Sequence, residues 1–229
     1  MTHFALYDEE SKPGGYHGFI ATMEVYGFSL KPGQGSETSF SLADPGLDYG
    51  EPRPSNAKGM TIGWHNDGFE STGCLNMKCP GFQPEKGAPI APGGVIQQVS
   101  APNGAKQTLN LKIVKDGALG DWLVHVGLNK APELIGRFPK SLFSSGLSDR
   151  ATAVRFGGAA TRPAPMGSGY LPTDGKSAAS MSNIQFIDQK GQASLVTGSL
   201  RSMISDMTVY NLSSIDNGQF FYGGPWKAA

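Results

Sequence analysis

The sequence has no net charge, because nineteen Lys and Arg residues balance nineteen Asp and Glu residues. A protein that binds nucleic acid needs a basic patch to hold phosphates, and no such cluster stands out, so we expect no nucleic-acid partner. Long apolar runs are also missing, since no stretch approaches the roughly 20 apolar residues that span a bilayer. We therefore expect no integral membrane protein either.

Ligands for metals are scarce as well. The chain has four histidines, scattered along the sequence, and two cysteines, Cys74 and Cys79. The cysteines lie five positions apart, too far for a CxxC redox motif, and no histidine cluster supplies further ligands. Their spacing fits one small disulfide loop and two buried thiols equally well. We expect no metal site and no cofactor.

Glycine and proline are abundant, with 32 and 16 residues, about a fifth of the chain. This composition is typical of many short strands joined by tight turns. Alternating apolar and polar residues predict strands over 19–25, 61–64, 107–114, 121–126 and 153–156. Short helical turns are predicted within 139–147 and 200–206, and surface loops over 31–56 and 84–94. The sequence thus predicts a single all-β domain over residues 1–229, either a sandwich or a flattened barrel.

The candidate catalytic groups form no recognisable constellation. No GxSxG element presents a serine nucleophile, and neither cysteine has a nearby histidine to activate it. Paired carboxylates are the alternative, because one protonated and one ionised acid together activate water against a peptide bond. The acids in apolar strand contexts are Glu24, Asp67, Glu70 and Asp121. Taken singly, each is by default a solvated strand residue.

One phrase of the sequence is unusually specific, TIGWHNDGFESTGCLNMKCPGF over residues 61–82. Others are HFALYDEESKPGGYHGFIATMEVYGF from residue 3, LNLKIVKDGALGDWLVHV from 109, IGRFPKSLFSSGLSDRATAVRFGG from 135 and FFYGGP from 220. Together they resemble the neprosin family of plants, whose active members are glutamic peptidases that cleave beside proline, and whose version of the first phrase is of the type YWTxDGYxxTGCYNxxCxGF. The resemblance covers nearly the whole chain. It implies an antiparallel β-sandwich of two stacked sheets with a cleft and long Gly/Pro-rich loops.

The departures from the family pattern concern the catalytic residues. In the family, one catalytic glutamate lies in a phrase like IEAGW on a strand shortly before a YGD element, and the other ends a WGGE phrase. Here FSLADPGLDYG leads directly into YGEPRP, so we expect the strand with the first glutamate to be deleted near residues 43–49. In the phrase RFGGAA, Ala159 stands where the second glutamate is expected. Because alanine transfers no proton, the resemblance implies a shortened member with little or no peptidase activity.

A non-catalytic binding module is the first alternative. Its partner would be a proline-containing or cell-wall peptide, held by the aromatic side chains of Trp64, Phe69 and Tyr222, although each of these suits core packing equally well. A deleted strand would also leave a sheet edge unpaired, which favours self-association with another chain. A degenerate product with no selected function is a further alternative.

An active enzyme with substitute acids is the competing hypothesis. Glu51, or Asp67 together with Glu70, would then converge in the cleft at a separation of about 5 to 9 Å, as in other two-carboxylate hydrolases. Asp67 and Glu70 are an odd number of residues apart, so on a continuous strand they would face opposite sides.

The resemblance also bears on the cysteines and on localisation. It favours a disulfide between Cys74 and Cys79, and hence a secreted protein of an oxidising compartment. The first ten residues are polar and acidic, so we expect no secretory signal within this chain.

Overall fold

A computed structural model of the chain describes residues 2–10, 14–44, 58–66, 81–143, 146–161, 163–173 and 176–225. Within these ranges all regular structure is β-strand, apart from two 3-10 turns at Lys140–Leu142 and Gly146–Ser148. None of the described helical segments is long and apolar enough to cross a membrane. The strands are, in chain order, β1 Thr2–Glu10, β2 Gly18–Glu24, β3 Ser36–Asp44, β4 Lys58–Asn66, β5 Gln83–Pro84, β6 Thr108–Lys115, β7 Trp122–Leu128, β8 Glu133–Phe138, β9 Ala153–Thr161, β10 Met166–Gly167, β11 Ala179–Ile187, β12 Ala193–Leu195, β13 Arg201–Ile204, β14 Asn211–Leu212 and β15 Phe220–Gly224.

The strands form two antiparallel sheets. The smaller sheet has five strands in the order β13-β1-β9-β3-β4. The larger has ten, with the path β10-β15-β11-β2-β6-β7-β8-β5, while β12 pairs with β11 and β14 pairs with β15. The predicted all-β antiparallel architecture is confirmed, as is the helical turn within 139–147. The turn predicted over 200–206 is wrong, because most of this segment is the edge strand β13, which pairs with β1.

Aromatic side chains join the two sheets face to face. Phe19 of the large sheet stacks against two rings of the small sheet, with centroids 4.6 Å from Phe40 and 5.3 Å from Phe156. Tyr7 and Phe220 make the same kind of contact across the sandwich at 5.0 Å. Each fully buried ring contributes about 1.5 to 3 kcal/mol relative to an exposed one, so this aromatic layer is the centre of the core.

Strand β3 was predicted as loop, and that prediction is wrong over Ser36–Asp44. The segment is rich in serine, which favours loops, but every second residue is suited to a core. Thr38, Phe40 and Leu42 are buried between the sheets, whereas Glu37 and Ser39 point to the other side. Pairing with β9 on one side and β4 on the other satisfies the backbone of β3, which overrides its weak local preference.

Candidate functional site

The outer face of the five-stranded sheet carries a row of four residues from four strands. Direct register pairs place Phe4 opposite Ala159, Ala159 opposite Glu37, and Glu37 opposite His65. Opposed residues of neighbouring strands point to the same face with Cβ atoms about 5 Å apart. We call these four positions the Glu37 row.

Glycine lines the row next to it. Ser39 pairs with Gly157 on β9 and with Gly63 on β4, so that two of its neighbours on this face lack side chains. A Cβ atom on Gly157 would lie 2.5 Å from the carbonyl oxygen of Ala5, and its φ of 151° also disfavours other residues. Because Gly157 and Gly63 have no side chains, the surface beside Glu37 is depressed. We call this depression across the strands the trough.

A buried ion pair forms the next row. Nε of Arg155 donates to Oδ1 of Asp8 at 3.0 Å, and the two side chains are 3% and 2% exposed. Beside them the hydroxyls of Ser41 and Thr61 are 2.7 Å apart. A buried pair of this kind adds little net stability, but it makes any mispaired register of β1 and β9 costly, because one charge would be left alone.

A shallow depression lies where these rows meet. Its lining includes Glu37, Ser39, Ser41, Arg155 and Ala159, and its inner space is about 10 Å³, close to the room that one water molecule needs. The lining combines an acid, hydroxyl groups and a guanidinium group. Such a surface can hold polar groups of a ligand that crosses the strands.

Glu37 is the carboxylate of this trough. The side chain is half-buried. Burial raises the pKa of Glu37, while the nearby His65 lowers it by favouring the ionised form. A carboxyl group that is partly withdrawn from water beside a histidine is typical of functional sites, although structural networks also produce such shifts.

Ala159, the predicted position of the lost glutamate, lies in the Glu37 row of the outer face. The side chain is 4% exposed and belongs to the lining of the depression. Of the other described candidates, Trp64 and Tyr222 lie in the core between the sheets, the role that their aromatic character left open. The candidate acids Glu24 and Asp121 lie outside the Glu37 row: Glu24 accepts from Tyr26 and Ser180, and Asp121 accepts from the backbone N–H of Lys140. Trp64 donates to the carbonyl oxygen of Glu24 at 2.9 Å, and the hydroxyls of Tyr222 and Thr38 are 2.6 Å apart.

The remaining predicted site residues lie outside the described residues. They are the substitute acids, one cleft aromatic and the cysteine pair: Glu51, Asp67, Glu70, Phe69, Cys74 and Cys79. The expected disulfide and the substitute-acid hypothesis therefore stay predictions. Most of the segment near 43–49, where a strand deletion was expected, is also outside the described part; its first two residues, up to Asp44, are the end of β3.

Sequence patterns alone do not single out Glu37. Serine, glycine and proline surround it and favour a loop, in which a glutamate is by default a solvated residue. The alternation in SETSFSLA was the available signal, since Phe40 and Leu42 on one face predict Glu37, Ser39 and Ser41 on the other. Which residue faces Glu37 across the strands could not be derived from this pattern, because it depends on pairing with distant segments.

Asp8 is the other carboxylate in these rows, and it does not pair with Glu37. Two strand spacings and four residues of strand separate the two positions, about 17 Å between their Cα atoms for regular sheet geometry. This is well beyond the roughly 5 to 9 Å of paired catalytic carboxylates. Among the described residues, no group of three His, Cys, Asp or Glu side chains converges to hold a metal ion.

Comparison with protein families identifies one match. Residues 52–225, about three quarters of the chain, match the Neprosin family model. The matched region contains β4 with His65 and β9 with Ala159, and it begins after β3.

Proposed function

The chain belongs to the Neprosin family, a family of peptidases, and on that premise we propose that the outer trough is a peptide-binding cleft with one catalytic carboxylate retained and one lost. The retained group is Glu37, and the lost group is the glutamate that the family pattern has at Ala159. The expected ligand is a proline-containing peptide, and the expected peptidase activity is little or none.

Glu37 corresponds to the first catalytic glutamate of the family pattern, both in its local sequence and in its place along the chain. In SETSF, as in the family phrase IEAGW, a glutamate is followed by two residues and then an aromatic one. The strand that carries Glu37 also precedes the YGEPRP phrase, as the family pattern requires. The register pair of Glu37 with Ala159 supports the assignment most strongly, because it brings the two sequence motifs side by side on one face. On this proposal, one of the two glutamates that the sequence resemblance implied to be lost is retained.

The loss at Ala159 disables the two-carboxylate chemistry. Hydrolysis of a peptide bond needs one group that takes a proton from water and one that protonates the leaving nitrogen. Glu37 alone can fill one of these roles at a time, and Asp8 is far away and engaged by Arg155. Removing one member of a catalytic pair commonly costs several orders of magnitude in rate. The polar trough that would receive a peptide does not depend on the missing side chain.

Restoring the missing acid tests this proposal. We expect the purified parent protein to leave a fluorogenic proline-containing peptide uncut at acidic pH, and the variant Ala159→Glu to cleave it. Ala159→Gln is the matched control, because it has nearly the same size without an ionisable group. The double variant Ala159→Glu with Glu37→Gln should be as inactive as the parent, since it again has one carboxylate.

Each part of the proposal has a contrary outcome. Robust cleavage by the parent protein would contradict the loss of function at Ala159. An Ala159→Glu variant that unfolds cooperatively like the parent but remains inert would contradict the assignment of Glu37. Peptide binding is measured separately by calorimetry on the parent, and no binding at millimolar peptide would contradict the cleft.

A further inference from the structure

His65 stands on the opposite side of Glu37 from Ala159. The register pairs place Ala159, Glu37 and His65 in one row across β9, β3 and β4. The family phrase YWTxDGY reads GWHNDGF here, so a histidine occupies the position of the family's threonine. Both neighbours of Glu37 in its row therefore depart from the family pattern, one by losing a carboxyl group and one by carrying an imidazole ring in place of a hydroxyl group.

We infer that Glu37 and His65 form a binding pair that holds one residue of an extended peptide, with Glu37 accepting its N–H and His65 donating to its C=O. This inference rests on the proposed function, because it names how the same cleft holds its ligand. It makes His65 a specificity-determining residue rather than a catalytic one.

The geometry of the pair matches an extended peptide backbone. The two side chains leave neighbouring strands at opposed positions, about 5 Å apart at Cβ. In an extended chain the N–H and C=O of one residue point the same way, so a neighbouring strand meets them with one acceptor and one donor side by side. Glu37 as acceptor and His65 as donor, on adjacent strands, supply the same two kinds of group. Glu37 is half-buried and His65 is exposed, so a ligand can reach both from the solvent side.

The pair also restricts where proline can stand in the ligand. Proline has no backbone N–H, so it cannot satisfy Glu37. The residue held by the pair is therefore a non-proline residue, and any proline of the peptide lies beside it. Replacing the held residue by proline, or methylating its backbone nitrogen, should remove the hydrogen bond to Glu37.

His65 is the main electrostatic partner of Glu37, because the other charged side chains nearby pair with one another. On the described outer face, Arg155 and Asp8 neutralise each other two rows away, and Arg201 at the edge of the sheet lies 3.9 Å from Asp8. His65 therefore favours the ionised form of Glu37, the form that accepts the peptide N–H most strongly.

Titration followed by NMR tests the coupling without any ligand. We compare the carboxyl carbon of Glu37 in the parent and in His65→Thr, which restores the residue type of the family phrase and suits a strand. We expect a higher pKa of Glu37 in the variant, because the positive charge that favours the ionised form is gone. An unchanged titration of Glu37 would overturn the pairing.

Peptide binding tests the specificity. At pH 5.5 we expect His65→Thr and Glu37→Gln each to weaken binding of a proline-containing peptide by about tenfold, the usual effect of losing one charge-assisted hydrogen bond. Binding of the parent and of His65→Thr is measured again at pH 8. His17→Thr, which changes the histidine directly before β2 in the other sheet, is the control and should bind like the parent. A series of peptides is then prepared, each with one N-methylated residue. In one peptide of the series the methyl group should block the hydrogen bond to Glu37, and for that peptide alone Glu37→Gln should not lower the affinity any further.

The outcomes separate the two proposals. If the parent binds no peptide, both the proposed function and this inference fail. If the parent binds but His65→Thr binds equally well at both pH values, the inference fails and the peptide cleft stands.

Discussion

The two faces of the five-stranded sheet differ in what their side chains do, although the same strands supply both. On β3, Phe40 and Leu42 enter the core, while Glu37 and Ser39 line the outer trough. The inner face interlocks with the second sheet through aromatic rings, so each side chain there has neighbours that depend on its shape. The outer face keeps a partly desolvated acid, which costs stability. This difference indicates that the inner face carries the stability, which leaves the outer face available for the proposed peptide cleft.

The largest expected effect is on the inner face. Phe156→Ala should lower the free energy of unfolding by about 4 kcal/mol, because the ring is fully buried against Phe19 and Phe220 and its loss leaves a cavity. Denaturant unfolding measures this change. Ser39→Ala on the outer face is the control and should stay within about 0.5 kcal/mol of the parent. Equal effects of the two changes would break the comparison.

The ion pair is the exception on the outer face. Asp8→Ala should destabilise the fold by about 3 kcal/mol, because it leaves the buried guanidinium of Arg155 without its carboxylate. The double change Asp8→Leu with Arg155→Met should recover most of this loss, since an apolar pair of similar volume removes the unpaired charge. A single change at Asp8 without effect on unfolding would show that the pair is solvated in solution.

A smaller loss of stability is expected from removing the hydrogen bond between Thr38 and Tyr222, which joins the two sheets. Tyr222→Phe should cost about 1 kcal/mol, because the hydroxyl of Thr38 loses its partner in the core. Tyr170→Phe is the matched control, since Tyr170 is 39% exposed and its hydroxyl can bond to water. Thermal unfolding of both variants gives the comparison, and an equal shift in the two would contradict a special role for the buried contact.

The smallest expected effect has the opposite sign and depends on pH. Burial raises the folded-state pKa of Glu37, so the parent loses stability as the pH rises through that value and the carboxyl group ionises. Glu37→Gln should therefore raise Tm at pH 7, and the gain should disappear at a pH below the unfolded-state pKa of a glutamate. Glu133→Gln at an exposed position is the control and should show no such trend. A lower Tm of Glu37→Gln at pH 7 would mean that the charge of Glu37 stabilises the fold.

Most of the fold was predictable because its signals are local. Alternation in the segments that became β2, β6 and β7 predicted these strands nearly to their ends, and Gly- and Pro-rich turns predicted their antiparallel order. The signal failed at β3, where serine and the flanking glycines concealed the alternation. Of the proposed site, the sequence alone pointed to Ala159, since one motif included it, and not to Glu37, which no matched motif included.

The sequence by itself determined the all-β class, the family and the absence of a glutamate at position 159, because composition, alternation and ordered motifs are properties of neighbouring residues. Only the tertiary structure decided that Ala159, Glu37 and His65 form one row, that Trp64 and Tyr222 are core residues, and that Asp8 is engaged by Arg155. Strand register brings together segments that are far apart in the chain, and a shift by one residue would turn each of these side chains to the other face.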